Sequence, residues 1–177
     1  MNIRCVELTT FPNHTLPIMA LNIDLLPDTT AIALRIGAAL LAGAILGINR
    51  EFHHKPAGLR THALVSIGSA LVIVLVLLVA QGAADALSRA IQGLVTGIGF
   101  VGAGVIMHHE AERRVVGLTT AASIWVAAGI GMACGAGLYS LVLIALGATL
   151  LVLIWGGRLE RALERRFGSG PDDQREL

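Results

Sequence analysis

Charge, aromatic residues and cysteine are all scarce in this sequence. Only 14% of its 177 residues are charged and 4% are aromatic, whereas 55% are hydrophobic. Soluble domains carry about 25% charged residues. The mean hydropathy of +0.75 therefore indicates a protein whose solvent is the lipid bilayer. The net charge of +1 shows no basic excess, so no nucleic acid partner is expected.

The chain also lacks the residues on which most cofactor and catalytic sites depend. Cys5 and Cys134 are its only cysteines, which gives neither a disulfide framework nor paired metal-ligand spacing. A nucleophile elbow, a Cys–His pair and a phosphate-binding lysine motif are all missing from the sequence. We therefore predict a protein that is not an enzyme and that has no cofactor and no bound metal.

Five apolar runs, each close to the length of a transmembrane helix, predict an all-α integral membrane bundle of about five helices. Residues 1–28 are expected to form an extracytoplasmic lead-in, and residues 157–177 a basic cytoplasmic tail. In that tail, "RLERALERRF" is typical of a helix at a charged membrane surface or of a positive stop signal. Basic residues concentrate in 50–60, 108–116 and the tail, which places the N-terminus outside and the C-terminus inside. The runs lie near residues 29–49, 61–81, 90–107, 117–135 and 138–156.

The third run contains "GIGFVGAG" at 97–104, which has the glycine spacing of a dinucleotide-binding fingerprint. A true fingerprint needs a preceding strand and an acidic residue about 20 positions on, where this chain has Ala122. No nucleotide is therefore expected. Small residues four apart let membrane helices approach closely, so the glycines are predicted to pack helices. The predicted packing glycines are Gly43, Gly47, Gly93, Gly97, Gly99, Gly102, Gly104, Gly131 and Gly135.

The chain resembles itself at a shift of 59 positions. "LAGA" at 41–44 aligns with "FVGA" at 100–103, and "GLRTHA" at 58–63 aligns with "GLTTAA" at 117–122. These matches suggest a parallel repeat of a two-helix unit; the alternative is chance similarity between runs rich in glycine and alanine. In each copy the Gly-Leu-x-Thr opens a helix that Thr61 or Thr120 could cap. A second hypothesis is that both helix starts face each other near Arg60 and attract a carboxylate or phosphate.

Arg35 is a charged residue that lies within a predicted span, and it is expected to face the bundle interior, a polar cavity or the interface. It shares a helical face with Ala39, Ala42, Leu46 and Asn49. The acidic residues on the side of the membrane nearer to Arg35 are Asp24, Asp28 and Asp85. No Asp or Glu lies well inside a span, which counts against a simple cation pump. A metal could still meet Glu51, His53 and His54 opposite His108, His109, Glu110 and Glu112, although a solvated loop is the favoured interpretation.

Four ordered motifs resemble the membrane domain of the MgtC/SapB family over roughly residues 30–155. They are "LGINRE" at 46–51, "KPAGLRTHALVSIGSAL" at 55–71, "GIGFVGAGVI" at 97–106 and "GLTTAASIWVAAGIG" at 117–131. The resemblance implies a bacterial inner-membrane protein of about five spans, in the short form that has the membrane domain only. Two positions depart from the family pattern: Asn49 stands where a glutamate is usual, and Val116 where a basic residue or histidine is frequent.

The resemblance also implies a link to magnesium limitation, to intracellular survival of pathogens and, for some members, to inhibition of the membrane ATP synthase. The preferred hypothesis is a non-enzymatic protein of magnesium homeostasis that acts through helix contacts, as a homo-oligomer or with another membrane protein. The alternative is a small oligomeric transporter or channel for magnesium or another solute. The functional polar candidates are Arg35, Asn49, Arg50, Glu51, Arg60, Thr61, His62, Thr119 and Thr120.

Overall fold

A computed structural model describes residues 29–53, 55–80, 83–109 and 114–167. Within these ranges five helices are long and apolar enough to cross a membrane, which confirms the predicted fold class. The predicted lead-in lies outside the described residues. The elements in chain order are α1 (Thr29–Phe52), α2 (Leu59–Val79), α3 (Ala84–Val105), β1 (Met107–His109), β2 (Arg114–Val116), α4 (Leu118–Gly135) and α5 (Tyr139–Phe167).

The element bounds differ from the apolar runs where a helix extends beyond its apolar part. α3 begins at Ala84 rather than near 90, because the helix includes Asp85, Ser88 and Arg89 ahead of its apolar stretch. α5 continues to Phe167, so the boundary expected at residue 156 falls inside a helix. The first part of the basic tail is thus a continuation of α5 and not a separate surface helix. The loop predicted at 108–116 contains an antiparallel pairing of β1 with β2.

The core lies between α1, α2 and α4, and it is built from small residues. α1 runs antiparallel to α2, and α2 runs parallel to α4. A Cβ on Gly43 would lie 2.6 Å from the carbonyl oxygen of His62, and one on Gly135 would lie 2.6 Å from that of Ala70. Gly47 and Gly131 meet the backbones of Leu59 and Ser66 in the same way. These four glycines let the three helices approach at backbone contact distance.

The outer helices α3 and α5 leave most of their surface uncovered by the rest of the chain. On α3, Gly102 packs against Ala121 of α4, whose Cβ lies 3.6 Å from where a Cβ on Gly102 would be. The other glycines predicted to pack helices do not do so within the chain, since a Cβ there would meet no atom within 4 Å. The reason is that most of the surface of α3 is left uncovered by the rest of the described chain. These glycines are Gly93, Gly97, Gly99 and Gly104.

The two-helix units predicted from the repeat make the same helix contact. Gly43 packs on His62 in the first unit, and Gly102 packs on Ala121 in the second; both residues of the pair are shifted by 59. α2 begins directly after Gly58, and α4 directly after Gly117. This equivalence agrees with the duplication that the repeat suggests.

Candidate functional site

Six polar side chains are buried in the described part of the chain, and all lie on α1, α2 or α4. We call them the buried polar cluster: Arg50, His62, Ser66, Ser69, Thr120 and Ser123, each at most 5% exposed. Arg50, Thr120 and His62 lie near the end of the bundle that holds the α1–α2 and α3–α4 connections, here called the loop end. Ser66 and Ser69 lie deeper along α2. Polar groups are rare inside a membrane bundle, so this cluster is the candidate site.

Arg50 is the charged centre of the cluster. It lies in the last turn of α1, and its Nη2 donates a hydrogen bond of 2.6 Å to Thr120 Oγ1 on α4. Its Nε is buried and has no hydrogen-bond partner. In the described residues no carboxylate forms an ion pair with it. A buried guanidinium without a counter-ion is costly, so the charge has to be compensated by something other than these side chains.

His62 joins the starts of α2 and α4. Its Nδ1 lies 3.0 Å from the carbonyl oxygen of Gly58, which can only accept, so Nδ1 carries a proton and donates. Its Nε2 lies 3.1 Å from Ser123 Oγ, and that hydroxyl in turn lies 2.8 Å from the carbonyl oxygen of Thr120. These contacts hold the first turns of the two parallel helices side by side.

The threonines of the Gly-Leu-x-Thr motifs do not cap their helices, so that prediction is wrong. The N-cap positions are Gly58 and Gly117, and neither helix start has a cap bond from its own N-cap side chain. α2 receives its cap from α1 instead, because Glu51 Oε2 accepts a 3.1 Å hydrogen bond from the Leu59 N–H. The carboxylate expected at a helix start is therefore supplied at α2 by the chain itself.

Arg35 lies at the opposite end of α4. Its Nη1 donates a 2.9 Å hydrogen bond to the carbonyl oxygen of Gly135, the last residue of that helix. The guanidinium also lies beside Gly137, 3.5 Å from where a Cβ would be. Arg35 is half-buried, and its partner is a backbone carbonyl. Of the three aspartates considered as partners, Asp24 and Asp28 lie outside the described residues.

The remaining candidates lie outside the cluster. Arg60 is exposed and Thr61 half-buried, and both line a cleft of about 750 Å³ between the end of α1 and the start of α2. Thr119 is exposed, and Asn49 is half-buried with its carbonyl oxygen 2.7 Å from His53 Nδ1. The structure thus brings Arg50, His62 and Thr120 together. It does not bring Arg60 into that group.

Sequence reasoning missed the three serines of the cluster. Ser66 lies four residues after His62, and Ser69 lies three residues after Ser66. Ser123 lies three residues after Thr120. These intervals put each set on one helical face, which was the available signal. The alternative metal site falls largely on residues and side chains that are not described. In the described remainder no three His, Cys, Asp or Glu side chains form a group able to hold a metal.

Comparison with known proteins places the chain among named relatives. It is 43% identical over 154 residues to protein SrpB of Synechococcus elongatus, covering 80% of this chain and 84% of the relative. It is 42% identical over 134 residues to the putative magnesium transporter YhiD of Escherichia coli, covering 71% and 60%. To protein MgtC of Salmonella typhimurium it is 42% identical over 132 residues, covering 75% and 54%.

The chain therefore spans most of SrpB but little more than half the length of YhiD and MgtC. No solved structure matches it. The MgtC family model matches residues 36–162, a range that contains the buried polar cluster and reaches into α5. The match covers well over half of the chain, and it confirms the resemblance carried by the four motifs: the chain belongs to the MgtC family.

Proposed function

We propose that this chain is a non-enzymatic bacterial inner-membrane protein of magnesium homeostasis and adaptation to low magnesium, and that it acts through helix contacts. The link to magnesium is supported by the name of a relative, the putative magnesium transporter YhiD. The mode of action is supported by the surface of α3. A second copy of this chain is the partner proposed for that surface.

The observation that carries the proposal is the open glycine face of α3. Gly93, Gly97 and Gly104 recur at intervals of four and seven residues, and no atom lies within 4 Å of a Cβ built on any of them. Phe100 on the same face is 84% exposed. In lipid there is little hydrophobic gain from covering an apolar face, so association depends on close packing, which glycines permit. Such a face suits a second helix.

Disulfide crosslinking in native membranes tests this proposal. In a background with Cys5→Ser and Cys134→Ala, Gly97→Cys is expected to give a covalent dimer on mild oxidation. Gly68→Cys is the matched control, because Gly68 is also an open helical glycine but has no second glycine four residues away. Equal crosslinking at both positions, or none at Gly97, would contradict self-association through α3.

A substitution separates assembly from folding. Gly97→Leu adds a side chain into space that the rest of the chain does not occupy, so the monomer is expected to fold and insert normally. The dimer should be weakened, and growth in low magnesium should fall with it if assembly serves that function. Gly68→Leu should leave both unchanged.

A small oligomeric transporter or channel is the second candidate, and the buried polar cluster favours it. Six buried polar side chains extending from Arg50 to Ser69 are more than the packing of apolar helices requires. Magnesium flux into proteoliposomes tests this candidate, with empty vesicles and an Arg50→Gln variant beside the wild type. Flux that needs Arg50 would establish transport; absence of flux from correctly inserted protein would favour the contact function.

We propose the orientation of the chain in the membrane from the distribution of its basic residues. The loop end carries Arg50, Lys55 and Arg60, whereas the connection between α2 and α3 leads to Arg89 alone. The loop end is therefore assigned to the cytoplasm. Accessibility of Lys55→Cys and Ala83→Cys, each in the Cys5→Ser and Cys134→Ala background, to an impermeant maleimide in spheroplasts tests this: labelling of Ala83→Cys only is expected, and the reverse would contradict it.

A further inference from the structure

The two arginines of α1, Arg35 and Arg50, lie at opposite ends of α4. They therefore lie at opposite poles of its helix dipole. Arg35 Nη1 binds the carbonyl oxygen of Gly135 at the C-terminus of α4, where the dipole is negative. Arg50 Nη2 binds Thr120 Oγ1 in the first turn of α4, where the dipole is positive. Arg35 is therefore stabilised by its position. Arg50 adds a positive charge to an end that is already positive.

The described side chains around Arg50 do not offset this excess positive charge. His62 binds across the starts of α2 and α4, and it is not an anionic group. Glu51, the adjacent carboxylate, is directed to the Leu59 N–H at the start of α2. Arg50 is 5% exposed, and its Nε has no partner. A buried donor on a charged group, left unpaired beside a positive helix end, favours binding of an anion there.

We propose that Arg50 and the first turn of α4 bind a phosphate group. The start of α4 is available for this, since it has no side-chain cap and both Leu118 and Thr119 are exposed. The first N–H groups of a helix point outward without intrahelical partners and bind phosphate well. A guanidinium adds charge and paired donors of the geometry that phosphate oxygens accept. The phosphate group belongs either to inorganic phosphate or to a membrane phospholipid headgroup.

Arg35 supplies the matched control that the chain itself contains. It is also an arginine of α1 bound to α4, but it lies at the end of that helix where carbonyls, and not N–H groups, are unpaired. Arg60 supplies a second control, because it is an exposed cation in the first turn of α2 that lines the neighbouring cleft. Neither substitution removes a group of the proposed site.

The first arm of the experiment uses the purified full chain in a neutral detergent. Thermal unfolding is followed by the fluorescence of Trp125 and Trp155 while inorganic phosphate replaces chloride at constant ionic strength. A saturable rise in Tm is expected for the wild type, for Arg35→Gln and for Arg60→Gln. For Arg50→Gln the phosphate Kd should increase by at least about tenfold, as expected when a charged hydrogen bond is lost.

The second arm compares lipid sources. The chain is placed in nanodiscs of phosphatidylglycerol or of diglucosyldiacylglycerol, which has no phosphate. A higher Tm in phosphatidylglycerol that disappears in Arg50→Gln, without a response to inorganic phosphate in detergent, assigns the site to a lipid headgroup. A response in detergent assigns it to free phosphate. Either pattern supports the proposal.

Thr120→Val keeps the test decisive if Arg50→Gln fails to fold. It removes the hydroxyl that holds Arg50 Nη2 and leaves the charge in place, so phosphate affinity should fall several-fold. Unchanged affinity in Thr120→Val in that case overturns the proposal. So does a loss that occurs in Arg60→Gln instead, or a response that Arg50→Gln retains. Absence of any response in both arms also overturns it.

Discussion

The sharpest structural prediction concerns Gly131, where α2 and α4 approach each other most closely. A Cβ on Gly131 would contact the backbone of Ser66, with its Cα and carbonyl carbon at 2.8 Å and its carbonyl oxygen nearer still. Ordinary van der Waals contact begins at 3.4 Å. Gly131→Ala therefore requires α2 and α4 to separate by at least about 0.6 Å at this point. The obstacle is backbone, so no side-chain rotation can relieve it.

The magnitude follows from the packing on both sides of α2. Ser66 also contacts Gly43 of α1, so α2 cannot move away from α4 without pressing on α1. Overpacking of this kind costs about 1–3 kcal/mol. Gly129→Ala is the control, because Gly129 lies on the same helix with nothing within 4 Å of its Cβ. There the alanine should stabilise the helix by about 0.5–1 kcal/mol.

The two alanine variants should therefore differ by about 1.5–4 kcal/mol in the free energy of unfolding, with opposite signs relative to the wild type. Thermal unfolding in detergent, followed by the fluorescence of Trp125 on α4, measures the difference as a gap of several degrees in Tm. If Gly131→Ala is as stable as Gly129→Ala, the helices do not approach as closely as described, and the reasoning is refuted.

Two further predictions concern helix starts, and a third concerns a cysteine in the core. Gly117→Ala should destabilise the fold by about 1–3 kcal/mol in the same unfolding assay, because Gly117 has a φ of 96° and its Cβ would meet the carbonyl oxygen of Val105. Glu51→Ala should cost about 1 kcal/mol through loss of the cap on Leu59, whereas Glu51→Gln, which keeps an acceptor, should cost less. Cys134, fully buried in the core, should react with a maleimide only after unfolding, as mass spectrometry of the labelled chain would show.

The five helices were predictable because hydropathy alone decides which segments enter a bilayer. The bounds of the helices were less predictable, because a helix ends where the local backbone geometry changes and not where the apolar run ends. α5 illustrates this: the sequence "RLERALERRF" after Gly157 contains good helix formers and no breaker, so the helix continues to Phe167. The pairing of β1 with β2 depends on the position of α3 against α4, which the sequence of the loop does not contain.

The candidate site was predictable in part. Arg50, His62 and Thr120 were selected from their motifs, and they lie together. Their roles were not predictable. Whether Thr120 caps its own helix or accepts from Arg50 depends on the register of α1 against α4, a tertiary feature. The same limit applies to the glycines, since Gly93 and Gly97 have the spacing of Gly131 and Gly135 but only the second pair faces a neighbour in the chain.

This difference between two similar glycine pairs connects the fold with the proposed self-association. In the first unit of the repeat, α1 uses Gly43 and Gly47 to contact α2 at backbone distance, and it also contacts α4. In the second unit, α3 contacts α4 more loosely through Gly102 and leaves Gly93 and Gly97 open. Two units of similar sequence thus differ in packing, because α1 packs closely against α2 and also contacts α4, whereas α3 leaves most of its surface uncovered. The proposed contact between chains would give the glycines of α3 the close helix neighbour that those of α1 already have within the chain.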